Sequence, residues 1–127
     1  MSAKVLIIED DQMMLSSTAM VLVETGGCDV VTASGGREGI ETARREQPEL
    51  ILLDIMMPEM NGWEVLRELK MDPLTAGIPV LIFTAYEIDP AQKKTLHDDT
   101  SGLVRKPFEP SELIDIVNRT AGHWVSE

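Results

Sequence analysis

Four places in this chain put a chemically useful side chain at the end of an apolar run. Lys4-Val5-Leu6-Ile7-Ile8 leads into Glu9-Asp10-Asp11, and Leu50-Ile51-Leu52-Leu53 leads into Asp54. Ile78-Pro79-Val80-Leu81-Ile82-Phe83 leads into Thr84, and Gly102-Leu103-Val104-Arg105 into Lys106. Apolar runs of this length without alternation read as strands buried on both faces. In open parallel sheets, chemistry collects outside the carboxyl ends of the strands. Taken singly, each residue has a plain structural role: Asp54 or Asp10 as a helix cap, Thr84 as a strand terminus, Lys106 as a surface cation. Asp54 alone reads equally as nucleophile, metal ligand or cap.

Taken together they are harder to explain that way, because carboxylates gathered at one sheet edge repel unless something neutralises them. A hard divalent cation with oxygen ligands suits Glu9, Asp10 and Asp54. Mg²⁺ fits, with water, a backbone carbonyl and a phosphate oxygen completing its shell. With that cation and Lys106 the site comes close to neutral. A phosphoryl group on Asp54 adds negative charge. A lysine ammonium, a threonine hydroxyl and loop N–H groups are the donors that phosphoryl transfer uses.

These residues need a scaffold that delivers every strand end to one edge. Cys28 to Thr32 supplies a further short strand, for five in all. Between the strands the pattern predicts helices over 12–24, from Gly36 to about Pro48, over 63–70 and over 90–97, with a last one starting at Pro110. Asp11 is placed to cap the first. The segment over 90–97 has few apolar anchors and reads as the least stable part. Alternating strands and helices joined by right-handed crossovers imply an α/β fold: a doubly wound, five-stranded parallel sheet with helices on both faces.

A chain of 127 residues suits one domain with its own core. Its 22 acidic and 11 basic residues give a formal charge of −11, which argues against direct nucleic-acid binding. Cys28, the single cysteine, excludes an intrachain disulfide and reads as a small buried hydrophobe in a reducing, cytoplasmic setting. Apolar runs are strand-sized, so neither export nor membrane insertion is expected.

The motifs Val5-Leu6-Ile7-Ile8-Glu9-Asp10-Asp11, Leu52-Leu53-Asp54-Ile55-Met56-Met57-Pro58-Glu59-Met60-Asn61-Gly62, Ile82-Phe83-Thr84-Ala85 and Lys106-Pro107-Phe108 resemble, in combination, the receiver domain of two-component response regulators. The stand-alone chemotaxis-regulator type is the nearest in kind, and the resemblance spans residues 1–127. It implies a flavodoxin-like sheet of strand order 2-1-3-4-5. It implies that Asp54 is the phosphoacceptor, with Glu9, Asp10, Asp54 and the backbone carbonyl of Met56 holding Mg²⁺, or Mn²⁺ in its place. Thr84 and Lys106 would contact the phosphoryl oxygens, and the Lys106-Pro107 bond would be cis, which an X-Pro bond allows at roughly 0.5–1 kcal/mol.

The implied partners are a histidine kinase or histidine phosphotransfer protein and a downstream target protein, with self-pairing through the fourth helix, fifth strand and fifth helix. Such a domain is a signalling switch and not an enzyme in the ordinary sense. A receiver cut from a hybrid histidine kinase or multidomain regulator would look the same.

Some positions depart from the family pattern. Leu103 stands where many receivers have a switching Tyr or Phe, so switching is expected to rely on the Thr84 loop and the weak fourth helix. Met56 and Tyr86 occupy positions that influence hydrolysis of the acyl phosphate, and imply a long-lived phosphoryl state. His97 and His123 read as surface histidines, Trp63 as packing for the third helix, and the eight methionines as core filler. An aspartate-nucleophile phosphatase of the haloacid dehalogenase type would need a second acid where Met56 stands. An FMN module would need a hydroxyl- and glycine-rich loop where Glu9-Asp10-Asp11 stands.

Overall fold

β-Branched and leucine-rich runs form the centre of a five-stranded parallel sheet in the computed structural model, which describes residues 3–85 and 87–121. The strands are β1 (Lys4–Ile8), β2 (Asp29–Ala33), β3 (Leu50–Asp54), β4 (Val80–Thr84) and β5 (Gly102–Arg105). Their order is β2-β1-β3-β4-β5, as the resemblance implies. The helices are α1 (Gln12–Met20), α2 (Gly36–Glu46), α3 (Gly62–Met71), α4 (Lys93–Asp99) and α5 (Pro110–Ala121). Every residue of β3 and β4 is buried, so both faces of the central strands need apolar cover. Leu6, Ile8, Ile51, Leu53, Val80 and Ile82 pack in one layer with Ile40, Ala43, Val65, Leu66 and Leu69 of α2 and α3. Val5, Ile7, Leu50, Leu52, Leu81 and Phe83 pack in the other with Leu15 of α1 and Leu113 and Val117 of α5.

Local chemistry sets most boundaries. Asp11 caps α1 by accepting from the N–H groups of Met13 and Met14 at 3.0 and 3.2 Å. Asn61 and Glu64 form a reciprocal capping box at the start of α3. α2 ends at Gln47, whose left-handed backbone (φ 48°) turns the chain into Pro48. The Lys70 ammonium donates to the carbonyls of Ala76 and Ile78, both at 3.1 Å, and so ties the connection between α3 and β4 back onto its helix.

Three expectations shift. β2 starts one residue later than expected, with Cys28 buried just ahead of it. β4 starts after Pro79, which has no N–H to give a ladder. The helix expected over 12–24 stops being α-helical at Met20 and finishes as a wider π turn, Val21–Thr25. Its inward side is Leu15, Thr18 and Leu22, while Met13, Met20 and Val23 face out.

The methionines also depart from core filler. Among the described residues only Met57 is buried, whereas Met13, Met20, Met56 and Met71 are exposed. The segment expected to be weak is a 3₁₀ turn (Pro90–Gln92) followed by α4, with no buried residue in either.

Candidate functional site

Strand register decides which ends meet. Ile8 pairs with Leu53, so Glu9 comes level with Asp54. Asp54 pairs with Phe83, which places Thr84 one residue beyond it, and Thr84 pairs with Arg105, which places Lys106 next. The Lys106 N–H donates to the Thr84 carbonyl at 2.8 Å, and the Lys106-Pro107 peptide bond is cis. Glu9, Asp10, Asp54, Met56 and Lys106 line one cleft of about 510 Å³, and Thr84 ends β4 beside it. All six residues singled out in the sequence thus arrive at the same sheet edge.

The floor of this cleft is ionic and largely buried. Glu9, Asp54 and Thr84 are 1, 4 and 1% exposed. Lys106 Nζ lies 2.6 Å from Glu9 Oε1 and 3.5 Å from Asp54 Oδ1. It also sits 4.6 Å from the centroid of the Phe83 ring, whose face attracts the cation. The Asp11 N–H donates to Glu9 Oε2 and the Met56 N–H to Asp54 Oδ1, each at 3.2 Å. Burial and then the neighbouring Asp54 carboxylate push the Glu9 carboxyl above its ordinary range, against the downward pull of the Lys106 ammonium. Carboxylate oxygens of Glu9, Asp10 and Asp54 lie within 4.8 Å of one another. One ammonium among three carboxylates leaves an excess of negative charge. An all-oxygen donor set with that excess fits a hard divalent cation such as Mg²⁺.

The walls are mostly apolar: Met14 from α1, Met56 after β3, Ala85 after β4 and Pro107 after β5. The loop after Asp54 is held by Gly62, whose N–H donates to the Ile55 carbonyl at 2.8 Å. A Cβ at Gly62 would stand 2.4 Å from the Asp54 carbonyl oxygen, so no larger residue fits without moving the backbone that carries Asp54. Glu59, in the same loop, adopts a left-handed backbone (φ 68°).

Sequence reasoning missed Phe83 as a platform for Lys106, and Gly62 as the spacer of the Asp54 loop. The first was readable only from register, the second only from the close approach of two backbones. Leu103 is half-buried and packs with Leu96 and Trp63 against the α2–α3 layer of the core. His97 is 89% exposed, 3.0 Å from Asp98, and takes no part in the cleft. Tyr86 and His123 lie outside the described residues.

The sequence matches the response regulator receiver domain model over residues 5–118. It is 34% identical over 118 residues to the probable transcriptional regulator ycf29 of Pyropia yezoensis, covering 93% of this chain and 53% of that protein. It is 32% identical over 117 residues to protein PilH of Pseudomonas aeruginosa, covering 91% of this chain and 95% of PilH. This chain therefore spans about half the length of the first relative and nearly all of the second. Among solved structures, chemotaxis protein CheY4 of Vibrio cholerae superposes with a TM-score of 0.85 at 29% identity, over 94% of this chain and 99% of CheY4.

Proposed function

The chain belongs to the response regulator receiver domain family, and on that premise we propose that Asp54 is the phosphoacceptor of a two-component or phosphorelay switch. Receivers of this family are signalling domains of two-component systems and not enzymes in the ordinary sense. In the proposed reaction a carboxylate oxygen of Asp54 attacks the phosphorus of a phosphohistidine on a histidine kinase or phosphotransfer protein. The new O–P bond forms as the N–P bond breaks. The electron pair returns to the imidazole nitrogen, which takes up a proton. A small acyl phosphate serves in the same way, with its carboxylate as leaving group.

Each residue of the cleft has a part in this proposal. Lys106 leaves its contact with Glu9 to pair with a phosphoryl oxygen, and the Phe83 ring keeps the ammonium within reach. Thr84 donates its hydroxyl to a second phosphoryl oxygen, and loop N–H groups such as that of Met56 support the rest. Glu9, Asp10, Asp54 and the Met56 carbonyl would hold Mg²⁺, or Mn²⁺ in its place. When bound, the cation neutralises the gathered charge of carboxylates and phosphoryl oxygens. The apolar walls limit the approach of water, which favours a long-lived acyl phosphate.

One observation carries this reading: a buried aspartate shares its cleft with two further carboxylates and a lysine that bridges to it. Residues 1–127 are proposed to act as one receiver domain in the cytoplasm, relaying to a protein target and not to nucleic acid. A second context, a receiver within a hybrid kinase or multidomain regulator, is favoured by the match to about half of ycf29. The test is direct. Incubation with Mg²⁺ and acetyl phosphate is expected to add one phosphoryl group in the intact-mass spectrum, absent in Asp54→Asn and without Mg²⁺. A gain that survives in Asp54→Asn would sink the assignment.

A further inference from the structure

The loop between β3 and α3 carries a dipeptide able to react with itself. Of the two asparagines, Asn61 and Asn118, only Asn61 precedes a glycine. With no Cβ on Gly62 to hinder approach, the Gly62 amide nitrogen can attack the side-chain Cγ of Asn61. The new N–C bond closes a succinimide ring as ammonia leaves, and water then opens the ring. Opening at one carbonyl gives aspartate. Opening at the other gives isoaspartate, in which the former side chain has become main chain.

Both reacting groups are tied down in the folded chain. Asn61 Oδ1 accepts from the Glu64 N–H at 3.0 Å, and Glu64 Oε1 accepts from the Asn61 N–H at 2.9 Å. The Gly62 N–H, which must give up its proton before attack, donates to the Ile55 carbonyl at 2.8 Å. Ring closure therefore waits for the loop to open. The loop is suited to opening, since Pro58, Glu59 and Asn61 are exposed and Glu59 holds a left-handed backbone (φ 68°) that is costly to a residue with a Cβ. Once formed, isoaspartate adds a carbon to the backbone directly before Gly62. At that point the two backbones are already too close for one more atom: a Cβ on Gly62 would stand 2.4 Å from the Asp54 carbonyl oxygen and 2.6 Å from Ile55 Cα. The lengthened loop cannot reclose without displacing the backbone that carries Asp54.

We propose that Asn61-Gly62 is a deamidation site gated by opening of the Asp54 loop, and that its conversion to isoaspartate withdraws the cleft from use. Site and gate stand on the loop geometry; only the loss of phosphoryl uptake rests on the reading of Asp54 as acceptor.

In the test, the full chain and a synthetic peptide of residues 56–66 are incubated side by side in mildly alkaline buffer, with conversion at Asn61 followed by peptide mapping. The folded chain is expected to convert about tenfold to a hundredfold more slowly than the peptide. Glu64→Ala, which removes half of the capping box, is expected to convert about fivefold faster than the parent chain. Equal rates for chain and peptide overturn the gate, as does a Glu64→Ala rate equal to the parent's or conversion that appears only in unfolding urea.

The isoaspartyl chain is then separated by ion exchange. Faster hydrogen exchange at the Gly62 amide is expected, with phosphoryl uptake from Mg²⁺ and acetyl phosphate lowered by about tenfold or more in the intact-mass spectrum. Asn61→Ser keeps a capping hydroxyl and cannot cyclise, so after the same incubation it is expected to retain both properties. Unchanged Gly62 exchange, or uptake equal to that of the fresh parent, overturns the withdrawal. A fresh parent chain that takes no phosphoryl group overturns the Asp54 assignment alone, and the gate is then decided by the conversion rates and Gly62 exchange.

Discussion

The carboxyl edge of β1, β3 and β4 and the flank formed by α4 and β5 are built in opposite ways. At the edge, charged groups are buried and held by strands whose every residue is inside: β3 and β4 expose nothing. At the flank, the charged pairs Lys94 with Asp98, His97 with Asp98 and Arg105 with Glu87 are all exposed. Exposed pairs of that kind contribute little, typically below about 1 kcal/mol each. The buried carboxylates sit where opening requires unfolding the sheet, whereas α4, with no buried residue, sits where opening costs little.

The sharpest way to break this contrast is to remove equal volume from both regions. Leu81→Ala in β4 empties a fully buried site and should cost about 2–5 kcal/mol, whereas Leu96→Ala in α4 should cost about 1 kcal/mol or less. Urea unfolding of the two variants checks this, and equal losses would mean that α4 belongs to the same cooperative unit as the core.

A smaller effect tests the charge at the edge. Glu9 is raised by burial and by Asp54, so without metal the folded state takes up a proton before the unfolded state does. Stability contributed there is present below the ordinary glutamate range and is lost as pH rises through the raised value. Asp54→Asn relieves the repulsion and should stabilise the metal-free protein at neutral pH by on the order of 1 kcal/mol, with the gap closing in acid. Thermal melts in chelator across that pH range report it. No gain at neutral pH would show that Lys106 already balances the site.

The smallest effect lies under α1. Thr18 is fully buried, and its hydroxyl has no hydrogen-bond partner. Thr18→Val should therefore stabilise by up to about 1 kcal/mol, read as a rise in urea midpoint with an unchanged slope. A loss would place a water or another donor at that hydroxyl.

Strands were legible because buried parallel strands advertise themselves as unbroken apolar runs, their order came from the family resemblance, and Glu9, Asp54, Thr84 and Lys106 could be expected together because parallel strand ends share an edge. α1 was harder. Its buried Thr18 reads as surface, and its exposed Met13, Met20 and Val23 read as core, so the apolar pattern points the wrong way round the helix. The π turn after Met20 then rotates the register by a fraction of a turn that no residue type announces. Phe83 under Lys106 and the backbone contact at Gly62 depend on distances between segments far apart in the chain. Composition cannot carry those distances.

The bond between Lys106 and Glu9 spans 97 positions of sequence and closes the first strand onto the last. A nascent chain emerging from the ribosome displays Glu9, Asp10 and Asp54 long before the lysine that balances them has been translated. Until β5 is in place, Lys106 is not among these acids. The charge balance of the cleft is therefore completed only by the last strand of the sheet to be translated.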